Sequence, residues 1–153
     1  MSRQRRLTLL FAVVFVLSAH LCAKQLAVVT DSANPTVELS SSELIKICNG
    51  HTREWPDGKP ITVVLRDPSA REMQIVLRKV FNMTAAQARG FFQTHRGAIV
   101  VADSDDAVVH FVSVNRGAIG IVDLYSLTKD VKVLKIDGKL PVEQGYLLKG
   151  NEP

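Results

Sequence analysis

The stretch from Leu65 to Glu72, Leu-Arg-Asp-Pro-Ser-Ala-Arg-Glu, is the part of the chain best equipped for chemistry. An apolar run from Ile61 to Leu65 predicts a strand that delivers Arg66 at its end, Asp67-Pro68 turns the chain, and Ser69 opens a helical pattern. A helix N-terminus presents unpaired amides and the positive end of the dipole, so it favours negative charge. The Ser69 hydroxyl, the amides that follow at Ala70 and Arg71, and the guanidinium groups of Arg66 and Arg71 would together suit an oxyanion such as phosphate. The same residues carry a structural reading. Ser69-Ala70-Arg71-Glu72 has the spacing of a capping box, in which the serine hydroxyl accepts from the amide of residue 72 and the glutamate accepts from the amide of residue 69. Glu72 would then fill the space and supply the charge that an anion would bring. Spacing alone leaves both readings open.

The remaining candidates point away from catalysis. His51, His95 and His110 show no metal-binding spacing, and His110 falls opposite the apolar face of its helix. No G-x-S-x-G elbow is present, and Cys48 lies on an apolar helix face that predicts a small core residue. Asp103, Asp105 and Asp106 precede a helix, where they serve as cap and first-turn charges, and Trp55 is expected to pack its loop against the body. A non-enzymatic protein is expected, with no metal and no cofactor.

The elements that must position these residues alternate between strand and helix. Leu26 to Thr30 predicts a strand closed by a turn over residues 31 to 35. Ser40-Ser41-Ser42-Glu43 predicts a capping box opening a helix with Leu44, Ile47 and Cys48 inward, stopped at Asn49-Gly50. Beyond Ser69, the residues Met73, Val76, Leu77, Val80 and Phe81 recur at helical spacing, with Arg71, Gln74 and Arg78 on the other side. Thr84 with Gln87 predicts a further capped helix carrying Phe91 and Phe92 and ending near Gly97. Ala98 to Ala102 predicts a strand, followed by a helix with Ala107, Val108, Phe111 and Val112 inward, then strands over residues 119 to 122 and 131 to 136. Lys132 and Lys135 place the last of these at an edge or on a solvated face. Strands interleaved with helices imply an α/β architecture, a mixed or parallel sheet covered on both sides.

At the amino terminus, Arg3, Arg5 and Arg6 precede a nearly unbroken apolar run from Leu7 to Ala19, the pattern of a secretory signal peptide. Cleavage is expected after Ala23, leaving residues 24 to 153 as a single domain in the periplasm. Lipid attachment at Cys22 and retention as an uncleaved anchor are the competing readings. Of 19 basic and 15 acidic residues, three arginines fall in the leader, so the remainder carries 16 basic groups against 15 acidic ones. That balance argues against a nucleic-acid partner, which calls for a concentrated basic surface. With Cys22 in the leader, Cys48 has no intramolecular disulfide partner. A monomer is expected.

The order of these pieces resembles the phosphate-type solute-binding proteins of ABC uptake systems, in a shortened form of the type 2 periplasmic-binding-protein fold. The resemblance rests on Leu39 to Gly50 followed by Arg53-Glu54-Trp55-Pro56-Asp57-Gly58, on Val63-Val64-Leu65-Arg66 with Ser69 at a helix start, and on Gly117-Ala118-Ile119-Gly120-Ile121-Val122. Asp137-Gly138, Pro141 and Gly145-Tyr146 echo the family's closing segment, so the likeness runs over about residues 26 to 148. It implies binding of phosphate or a similar oxyanion through Arg66, Ser69, Ala70 and Arg71, with an ABC-transporter permease or another envelope protein as partner. Where the family has Ser-Gly-Thr, this chain has Ser69-Ala70-Arg71, which adds a methyl group and a charge and removes a hydroxyl donor. Full-length relatives also have an N-terminal half that closes over the anion, so a shallower site is implied here. The alternative is an accessory protein that uses the scaffold for interaction and keeps only a vestigial anion site.

Overall fold

The computed structural model describes residues 24–150. The leader expected over residues 1 to 23 lies outside the described residues. The elements are β1 (Lys24–Asp31), β2 (Glu38–Leu39), α1 (Ser41–Cys48), β3 (Thr62–Arg66), α2 (Met73–Val76) continuing as a π-helical turn (Leu77–Phe81), α3 (Ala85–Thr94), β4 (Ile99–Ala102), α4 (Asp105–Val114), β5 (Ala118–Asp123), a 3-10 turn (Leu124–Ser126), β6 (Val131–Val133), β7 (Lys135–Ile136) and β8 (Lys149–Gly150). The main sheet has the order β4-β3-β5-β1-β6, with β8 also pairing with β1. Strands β4, β3 and β5 are parallel, while β1 runs antiparallel to β5 and to β6, so the sheet is mixed as expected.

Alternation along the strands sorts the core into two unequal layers. Leu26 and Val28 of β1, Val63 and Leu65 of β3, and Ile119 and Ile121 of β5 face a large cluster that includes Trp55, Met73, Phe81 and Phe92. Ala27, Val29, Val64, Ala118 and Val122 face the other way, onto Val108, Val109 and Val112 of α4. The second face is built from small side chains, which brings α4 close to the sheet. Gly120 marks the contact, since a Cβ there would stand 2.6 Å from Val108 Cγ1 and 3.1 Å from Val112 Cγ2.

Two capping boxes form as their spacing predicts, Ser40 with Glu43 on α1 and Thr84 with Gln87 on α3. The third does not. Helix α2 begins at Met73, and its cap position, Glu72, makes no side-chain cap bond. The Asp67 carboxylate accepts from both the amide and the hydroxyl of Ser69, so the amide that Glu72 would hold in a box is already bonded. Successive turns follow, with Ala70 N bonding Asp67 O at 2.9 Å and Met73 N bonding Ala70 O at 3.0 Å.

Three smaller expectations are also corrected. Ala107 is exposed and Val109 is buried, because the face of α4 that meets the small-residue layer is formed by Val108, Val109 and Val112. The strand expected over residues 131 to 136 breaks at Leu134. β6 pairs with β1 at the edge of the main sheet, whereas β7 leaves it to pair in parallel with β2. The second half of the helix after Ser69 is π-helical and stops where Asn82 takes a left-handed φ of 51°. Its predicted inward face is buried throughout.

Candidate anion site

Arg66 ends β3 at a point where the chain changes direction across the sheet. From β3 the chain reaches the neighbouring β4 through α2 and α3, which pack on the large-residue face. From β4 it crosses back through α4 on the small-residue face to β5, on the other side of β3. In open α/β sheets, ligands bind outside the carboxyl ends of the strands at such a switch point.

The groups gathered there are mostly charged. Arg66 Nη1 donates to Asp105 Oδ1 at 3.1 Å, with side chains 21% and 11% exposed. Asp105 lies in the first turn of α4, and its Oδ2 accepts from the Asp123 amide at 3.0 Å and the Ser126 hydroxyl at 3.4 Å. Lys24, at the start of β1, pairs with Asp123 Oδ2 at 2.8 Å and with Glu72 Oε1 at 3.8 Å. One carboxylate at the amino end of α4 thus ties together β3, β5 and the turn after β5. Arg66 Nε is buried and has no hydrogen-bond partner among the described residues.

Ser69, Ala70 and Arg71 lie together in the turns between β3 and α2. Ser69 and Arg71 are exposed, and the Ala70 methyl group packs against the large core cluster. Asp67 is the carboxylate that fills the Ser69 groups. Those two bonds, foremost the Ser69 hydroxyl and then its amide, hold the Asp67 carboxyl below its ordinary value of 3.8, with Arg89 and Arg66 adding to the effect. Glu72, which sequence spacing assigned to that position, turns instead to Lys24. Beside the turn, a cavity of about 460 Å³ runs past Asp67, Arg89 and Arg96 along β4.

Sequence reading brought Arg66 and the residues 69 to 71 to one place and missed Asp105, Lys24 and Asp123. The available signal was the acidic run after β4, which a parallel β3–β4 pair brings to the carboxyl end of β3. No group of three or more metal-binding side chains occurs among the described residues. Burial pushes the Cys48 thiol up to about 12, which leaves it protonated and unsuited to nucleophilic attack. Trp55 is buried, with its indole N–H donating to Gly117 O at 2.9 Å, so it belongs to the core.

No family model and no curated protein matches the sequence. Solved structures do match the fold. An ABC-type phosphate transport receptor from Vibrio cholerae superposes with a TM-score of 0.65 at 21% identity, covering 86% of this chain and 55% of the receptor. PstS from Borrelia burgdorferi gives a TM-score of 0.68 at 21% identity, covering 84% of this chain and 55% of PstS. A human phosphate binding apolipoprotein gives 0.61 at 21% identity, over 86% of this chain and 42% of that protein. This chain therefore shares the mixed α/β fold of these phosphate-binding structures. It spans about half the length of the first two structures.

Proposed function

We propose that this chain is an exported, periplasmic solute-binding protein without catalytic activity, and that it takes phosphate or a similar oxyanion at the carboxyl end of β3. Arg66, Ser69, Ala70 and Arg71 are the ligand residues in this reading. The observation that carries it is Arg66 Nε, a buried donor at the switch point with no acceptor among the described residues. Leaving such a donor unsatisfied costs about 1–3 kcal/mol, and a shift of the Arg66 side chain that brought Nε to a bound oxyanion would remove that cost. The neighbours with this fold bind phosphate, and the Vibrio cholerae protein is a transport receptor of ABC type, which supports an ABC permease as the partner. The arginine-led apolar leader supports export.

A second reading is favoured by the Asp67–Ser69 and Asp105–Arg66 bonds, in which the chain's own carboxylates occupy anion-binding groups. The protein would then be an envelope accessory protein with a vestigial site. Thermal-shift titration with phosphate, sulfate and arsenate separates the two. Under the receptor reading, ligand at 100 times its dissociation constant stabilises the protein by about 2.7 kcal/mol, and Arg66→Gln abolishes the effect. An absence of any shift at millimolar anion, in both the native protein and Asp67→Asn, would overturn that reading and leave the accessory one.

A further inference from the structure

At the opposite end of β3 from Arg66, where β3 and β4 begin, lies a half-open cavity of about 390 Å³ that the anion site does not use. Its size falls within the range of small-molecule pockets, about 300–1,000 Å³. Ile47 of α1, Ile61, Val63 and Ile99 line it, and all four are buried, so its floor is apolar. The rim is cationic or polar, and none of the described residues that line the cavity is acidic. Arg53 is held there through Nε, which donates to Gly50 O at 3.2 Å. That bond orients the planar fork without neutralising it. Across the rim, His95 is fixed by its Nδ1, 2.8 Å from Phe91 O and 3.0 Å from Thr94 Oγ1, and by its ring lying 4.0 Å from the Phe91 ring.

We infer that this cavity is a second binding site, for a small monocarboxylate with an aromatic or short aliphatic tail. The tail would cover the isoleucine and valine floor and release water from it. The carboxylate would meet the Arg53 guanidinium, whose fork matches two carboxylate oxygens and whose single charge one carboxylate balances. A neutral tail-bearing molecule lacks that match, and a free phosphate has nothing to place on the floor. The site stands apart from Arg66 and does not depend on phosphate binding.

Heteronuclear NMR titration of the protein with benzoate and with hexanoate tests the inference, with benzyl alcohol as the neutral counterpart and inorganic phosphate as the tail-less anion. Saturable shifts are expected at Gly50, Thr52, Gly97 and Ala98 with both carboxylates, and only weaker ones with the alcohol or phosphate. Arg53→Gln, an exposed position, should leave the melting temperature unchanged and weaken benzoate binding about tenfold. The inference fails if the carboxylates produce no saturable shifts at tens of millimolar, or if the shifts map to Arg66 and Ser69. It fails equally if benzyl alcohol binds as well as benzoate, or if Arg53→Gln, folded as the native protein, binds unchanged.

Discussion

At the start of β5 the backbone of Gly117 is held by buried groups, its carbonyl by the Trp55 indole N–H at 2.9 Å and its amide by Asp31 Oδ2 at 2.9 Å. Nearby, the Thr30 hydroxyl donates to Ala118 O at 2.9 Å and itself accepts from Asn34 Nδ2 at 3.0 Å. At the carboxyl ends of β3 and β5 the partners are instead partly exposed ions, Arg66 with Asp105 and Lys24 with Asp123. The contrast separates what a fold must keep from what it can exchange. A desolvated hydrogen bond inside packed side chains has no substitute partner, and losing one strands a buried polar group. An ion pair that water can reach is replaced at low cost by another charge, a guest anion included. Exchange of one charged partner for another is therefore cheaper at the carboxyl ends than at the Gly117 clasp.

The largest effect expected from this contrast is at Gly117. Its φ of +83° disfavours any side chain, and a Cβ there would lie 2.3 Å from the Pro60 carbonyl oxygen. Gly117→Ala should destabilise the protein by about 3 kcal/mol, read as a lower urea midpoint. A loss below about 1 kcal/mol would show that the clasp yields, and the contrast would collapse. Asp105→Ala comes next. It removes the partner of Arg66 Nη1 and of the Asp123 amide, and after allowing for partial exposure the expected loss is about 2 kcal/mol. A loss below about 0.5 kcal/mol would place this pair with ordinary surface bridges.

Asp67→Asn should change stability at neutral pH by no more than about 0.5 kcal/mol, because the side chain is largely exposed. Its signature lies in acid. The Asp67 carboxyl is held below 3.8 in the folded protein, so its contribution is present above that value and is lost as pH falls through the lowered one. Between about pH 5 and pH 2 the native protein should lose stability more steeply than Asp67→Asn. Identical slopes would mean that the Ser69 contacts do not favour the ionised form.

Local chemistry was legible wherever a motif needed only its own residues. Ser40 to Glu43 and Thr84 to Gln87 close their boxes within four positions. The stretch from Ser69 to Glu72 has the same spacing, but Asp67 lies two residues away and takes the serine amide, while Glu72 pairs with Lys24. Arg66 was legible as a charge at the end of a buried strand. Its partner was not, since Asp105 stands 39 positions later.

From the sequence by itself came the alternation of strands and helices, the buried faces, and the position of Arg66 beside a turn, all properties of side-chain period and short-range hydrogen bonding. Tertiary structure alone decided the sheet order, the division of residues 131 to 136 between two sheets, and the choice of carboxylate for each cation. The reason is that pairing across the sheet depends on which strands become neighbours, and that is settled by burying the large-residue and small-residue faces together over the whole chain.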